Sequence, residues 1–135
     1  MADEMPYSAT TKDVNVQVRP IFLEDQSDPD EDHFVWAYQI KIENQGSKAV
    51  QLKRRHWQIT DARGQIEVVD GDGVVGEQPV LEPGASFEYT SGAPLKTSNG
   101  FMVGHYQMES AQGETFDVNV PAFSLDSPYD HMIHH

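Results

Sequence analysis

The strongest constraint on the fold is an unbroken two-residue alternation over His33–Glu43, HFVWAYQIKIE. Phe34, Trp36, Tyr38, Ile40 and Ile42 share one face, while His33, Val35, Ala37, Gln39, Lys41 and Glu43 share the other. Side chains of a strand point to opposite faces in turn, so the spacing predicts a strand with one buried and one wetter face. Val14, Val16 and Val18 alternate with Asn15, Gln17 and Arg19 in the same manner. Shorter stretches continue the pattern: Val50–Leu52, Arg55–Asp61 with Trp57 and Ile59 inward, Gln65–Val69, Ser86–Thr90, Met102–Met108 and Thr115–Val120. Turn-forming clusters part them, among them Asn44-Gln45-Gly46, Glu82-Pro83-Gly84 and Ser98-Asn99-Gly100. No window of helical length keeps a 3.6-residue period without a glycine or proline break. The expectation is an all-β chain, an immunoglobulin- or fibronectin III-like β-sandwich of about seven to nine strands. The sandwich is placed over residues 13–125, with a flexible N-terminal arm over 1–12 and a flexible C-terminal tail over 126–135.

Charge narrows the partners. Against 22 acidic residues stand 9 basic ones, a formal net charge of −13. Such a chain repels polyanions at long range, so neither nucleic acid nor an anionic membrane is expected as a partner. No apolar run approaches the ~20 residues of a membrane helix. The first residues, MADEMPYSATTKD, carry no basic and apolar leader, which predicts a cytoplasmic protein. With no cysteine in the chain, disulfides, thiolate nucleophiles and cysteine zinc sites are excluded. No G-x-S-x-G elbow or other catalytic constellation is visible, so no enzyme activity and no cofactor are expected.

The segment VVDGDGVVGEQPVL spells G-x-G-x-x-G at Gly71, Gly73 and Gly76. In a dinucleotide site those glycines lead from a strand into a helix whose N-terminus holds the pyrophosphate. Here Pro79 and Pro83-Gly84 interrupt the body of any such helix, and Asp70, Asp72 and Glu77 surround the glycines. Two readings stay open: glycines that bend a connection between sheets, or a helix-free nest of N–H groups holding an anion. Arg54 and Arg55 are the candidate counter-charges for that anion. Arg55, His56 and Trp57 form a second candidate, a contact patch for a protein partner.

Two metal readings are weak. Asp28, Asp30 and Asp32 open like an EF-hand loop, but His33 and Gln39 occupy the positions that should hold glycine and glutamate, so at most loose Mg²⁺ or Ca²⁺ association follows. His131, His134 and His135 in the tail are candidate transition-metal donors. His56 and His105 fall in expected strands and read as structural.

Taken together, SDPDEDHFVWAYQIKIEN, VQLKRRHWQITDARG, VVDGDGVVGEQPVLEPGASFEYTSG, NGFMVGHYQM and FDVNVPAFSLD strongly resemble the ApaG family, in order and over about Val14 to Asp126. The resemblance implies a fibronectin III-like sandwich in a small bacterial protein, with a homodimer as one expected assembly. It implies a genetic link to cobalt tolerance and magnesium efflux, and a protein-interaction role. It also implies a suggested pyrophosphate site at Gly71, Gly73 and Gly76. The reading that follows is a non-catalytic binding domain with an unidentified protein partner. Anion binding at the glycine loop and direct weak divalent-metal binding are its alternatives.

Overall fold

The computed structural model describes residues 5–129. Nine strands are present among them: β1 (Tyr7–Thr11), β2 (Val14–Phe22), β3 (Phe34–Asn44), β4 (Val50–Asp61), β5 (Ile66–Asp72), β6 (Val80–Leu81), β7 (Ser86–Leu95), β8 (Gly100–Ser110) and β9 (Thr115–Leu125). They form two antiparallel sheets, β1-β2-β3-β7 and β5-β4-β8-β9, with β6 pairing the first residues of β4. The expected all-β sandwich is what the chain forms. Two single 3₁₀ turns, Glu24–Gln26 and Pro29–Glu31, fill the acidic connection between β2 and β3. No described helix is long and apolar enough to cross a membrane.

The alternation in β3 sets the core. Phe34, Trp36, Tyr38, Ile40 and Ile42 are all 6% exposed or less. Burying side chains of this size stabilises the fold by roughly 1.5–3 kcal/mol each. From the facing sheet come Trp57, Met102, Tyr106, Met108, Val118, Val120 and Phe123. Tyr38 is the hinge between layers, its ring 5.5 Å from Trp57 and 5.8 Å from Phe123, edge-on or tilted. The buried hydroxyls of Tyr89 and Tyr106 meet at 2.6 Å across the layers.

One irregularity explains why β4 reads as two pieces in the sequence. The register slips between Leu52 and Arg54. A bulge of one residue reverses which parity faces inward. Val50 and Leu52 therefore point into the core before it, and Trp57 after it. Arg55 shares the inward parity of Trp57 and pairs in register with the fully buried Tyr106.

Both ends depart from expectation. Within the span expected as a loose arm, Tyr7–Thr11 pair with β2. Tyr7 packs its ring 6.1 Å from Phe123, and its hydroxyl accepts from the Ser124 amide at 3.3 Å. Tyr7, Ala9 and Thr11 alternate with the more exposed Ser8 and Thr10, the two-residue pattern of a short strand. The expected tail likewise begins docked. The Trp36 indole donates to the Asp126 carbonyl at 2.7 Å, and Ser127 Oγ donates to the Ser98 carbonyl at 2.7 Å. Tyr129 packs its ring edge-on to Phe22 and tilted against Phe34, and its hydroxyl donates to Glu24 at 2.6 Å. The tail candidates His131, His134 and His135 lie outside the described residues.

Candidate functional site

Pairing of β4 with β5 sets Arg54 opposite Asp72, Arg55 opposite Gly71 and His56 opposite Asp70. This register sets Gly71 beside the two arginines, and Arg55 reaches on to Gly73. Past β5 the chain turns sharply: the Gly73 amide donates to the Lys53 carbonyl, while Val74 and Glu77 exchange two backbone bonds of 2.8 and 2.9 Å. Val75 and Gly76 then form a two-residue hairpin tip, with φ of 43° and 81°. Paired positive φ angles are the mark of a type I′ turn. Val74 beneath the tip is 1% exposed and plugs the core.

The three glycines do three different things. A Cβ on Gly71 would lie 2.7–2.8 Å from the guanidinium of Arg55, so the arginine head is seated on this glycine. At Gly73, φ is +64° and a Cβ would fall 2.2 Å from the Glu77 carbonyl oxygen. Gly76 supplies the second positive φ of the tip. From its seat Arg55 Nη1 donates to the carbonyls of Asp72 at 3.1 Å and Gly73 at 2.9 Å. The loop thus turns carbonyl oxygens toward a cation, and the amides of Gly73, Val74 and Glu77 are engaged with backbone acceptors. Arg54 Nη1 meets Asp72 Oδ1 at 2.6 Å with both side chains well exposed, a contact that adds little stability.

The proposed contact trio of Arg55, His56 and Trp57 does not share a surface, which corrects the sequence reading. Trp57 is 3% exposed, packed against Tyr38, Tyr106 and Phe123. Arg55 faces the same interior and carries its charged head out to the loop along its aliphatic stem. His56 alone stands on the outer face. The cause is parity: neighbours along a strand face opposite ways.

Burial pushes the hydroxyls of Tyr38, Tyr89 and Tyr106 up from their ordinary value, and the charge of Arg55 partly opposes this in all three.

On the outer face of the β5-β4-β8-β9 sheet, residues line up in rows across strands. One row runs Ile66–Thr60–Phe101 and the next Val68–Gln58–Val103. Ile66, Val68, Phe101 and Val103 are 57%, 55%, 47% and 36% exposed, and Thr60 between the first pair is buried. The third row is polar: Asp70, His56 and His105. His56 Nδ1 lies 2.6 Å from Asp70 Oδ1, the imidazoles of His56 and His105 stack with centroids 4.9 Å apart, and His105 Nε2 lies 4.0 Å from Asp117 Oδ2. A shallow depression of about 80 Å³ runs along it. Sequence reasoning missed both groupings. The apolar rows had a visible signal: β8 carries Phe101 and Val103 on the face opposite Met102, Tyr106 and Met108, so it is apolar on both sides.

The architecture defines the chain as an antiparallel, two-sheet β-sandwich domain with an arginine-anchored glycine loop. A family model described as the ApaG domain matches residues 24–110. Protein ApaG of Paramagnetospirillum magneticum is 60% identical over 124 residues, covering 92% of this chain and 95% of that protein. Protein ApaG of Parvibaculum lavamentivorans is 57% identical over 129 residues, covering 95% and 99%. The crystal structure of an ApaA protein from Bordetella pertussis superposes with a TM-score of 0.84 at 42% identity, covering 91% of this chain and 98% of that one. The chain belongs to the ApaG family.

Proposed function

We propose that this domain is a non-catalytic binding module that engages a protein partner through the outer face of the β5-β4-β8-β9 sheet. The observation that carries the proposal is the pair of apolar rows. Four apolar side chains on two strands flank β4 at matched register, and three of them are about half exposed. Apolar area gathered at one place on a strongly charged protein marks an interaction surface. The acidic surroundings favour a partner that brings basic residues around an apolar centre. A part in cobalt tolerance and magnesium efflux is then indirect, exerted through that partner.

The test compares the wild-type chain with Val68→Glu and Phe101→Glu as bait, and with Gln39→Glu on the other sheet as control. A protein captured by wild type and control but lost with both face variants supports the reading. Capture unchanged by either variant overturns it. Sedimentation of the same proteins covers the homodimer: if the face pairs with itself, wild type sediments as a dimer and Phe101→Glu as a monomer.

A further inference from the structure

We infer that His56 and His105 form a two-imidazole site for a borderline transition-metal dication on the outer face of β4 and β8. The inference does not depend on the partner reading. His56 and His105 are directly opposite in the register of two antiparallel strands. Residues so placed have Cβ atoms roughly 4.5–5.5 Å apart, with side chains on the same face. The two rings are already nearly parallel, at 22°, and 4.9 Å apart. In tetrahedral coordination at about 2.0–2.1 Å per Zn–N bond, two ligating nitrogens are about 3.3 Å apart. The rings need only tilt their edges together by an ångström or two. Both side chains are partly exposed, at 32% and 37%.

The surroundings suit the role. A metal-bound histidine usually gives its other ring N–H to a carboxylate, which fixes the tautomer and raises the basicity of the ligating nitrogen. Asp70 Oδ1 at 2.6 Å from His56 Nδ1 is that arrangement, and it leaves Nε2 of His56 as the lone-pair donor. Asp117 stands near His105 as a further carboxylate, at 4.0 Å. The carboxylates of Asp70 and Asp117 offset part of the cation's charge, while Arg54 on the next row is engaged with Asp72. Among the described residues no three His, Cys, Asp or Glu side chains converge as in a closed metal centre. The site is therefore open, with water completing the shell. Imidazole donors select copper, nickel and zinc over magnesium or calcium, with Cu²⁺ bound most tightly in the first-row order.

The experiment uses the full chain, ¹⁵N-labelled, titrated with substoichiometric CuCl₂ and observed amide by amide. Paramagnetic broadening is expected at residues 54–58 and 103–107. His56→Gln and His105→Gln should each abolish that broadening, and Asp70→Asn should weaken binding there about tenfold, the scale of a second-shell loss. Broadening confined to residues 131–135, or to any segment away from β4 and β8, overturns the inference. So does broadening at β4 and β8 that survives both histidine variants. Melting curves in metal-free buffer show that the variants fold. With ZnCl₂ the wild-type midpoint rises and that of His56→Gln does not; equal shifts in the two also overturn the inference.

Discussion

Replacing Gly71 with alanine tests whether Arg55 is truly seated on that glycine. The added Cβ would lie 2.7 Å from Nη2 and 2.8 Å from Cζ and Nη1 of Arg55, so the guanidinium must leave. With it go the two bonds to the carbonyls of Asp72 and Gly73. Hydrogen bonds involving a charged group contribute about 1.5–3 kcal/mol each when buried. Arg55 is half-buried, so about 2 kcal/mol for the pair is a fair magnitude. Alanine returns about 0.5–1 kcal/mol because it restricts the unfolded chain more than glycine does. The net loss is then about 1–1.5 kcal/mol, or roughly 3–6 °C in a domain of this size. In an Arg55→Met background nothing charged occupies the seat, and Gly71→Ala should be neutral or slightly stabilising. The assay is urea unfolding followed by tryptophan fluorescence, since Trp36 and Trp57 are both buried, with stability taken from the midpoint at constant slope. The double-mutant cycle should give a coupling of about 2 kcal/mol. Equal costs of Gly71→Ala in the two backgrounds, within about 0.5 kcal/mol, would refute the seating.

Other positions make contrasting predictions. Gly73→Ala should be far more damaging than Gly76→Ala, because its Cβ meets a backbone carbonyl that no rotamer change can move, whereas Gly76 has open space. The measurement is soluble yield and midpoint, with about 1–2 kcal/mol expected for Gly76→Ala from the left-handed conformation alone. Val75→Asn should raise stability by about 1 kcal/mol, since Val75 is a β-branched residue at φ 43° on an exposed turn tip and asparagine tolerates that conformation; a lower midpoint would count against the strain. Alkaline pH should destabilise the domain steeply. Tyr89 and Tyr106 keep their protons in the fold, raised by burial from 10.0, while in the unfolded chain they ionise near that value. Stability is therefore fully present below about pH 10 and falls above it, by up to about 1.4 kcal/mol per pH unit for each tyrosine. A midpoint flat between pH 9 and 11 would contradict this.

The layers of the fold were legible because burial in a sheet leaves a period of two in the letters. Phe34, Trp36, Tyr38, Ile40 and Ile42 announced their face without help from any neighbour. Register shifts and cross-strand neighbours leave no such trace. The bulge at Lys53 merged two expected strands into one; alternation placed Arg55 on the face of Trp57, but only the bulge shows how Val50 and Leu52 keep that same face. His56 and His105 meet across β4 and β8, though 49 residues apart in sequence. Neither carries a local pattern, because opposition across a ladder is a property of two strands at once. The glycine loop lay between these cases. Its missing helix was readable from Pro79 and Pro83, but the direction of its carbonyls was not.

The geometry of the loop also bears on how its spelling should vary among relatives. In a phosphate cradle the glycines serve a single ligand, and a lineage that abandons the ligand is free to lose them as a set. In this domain each glycine answers a separate steric demand: a neighbouring side chain at Gly71, a crossing backbone at Gly73, a turn conformation at Gly76. Divergence should then erode them independently. Gly71 should disappear together with the arginine that rests on it, and Gly76 should drift to asparagine. Gly73 should outlast both, as the position where no compensating change is available.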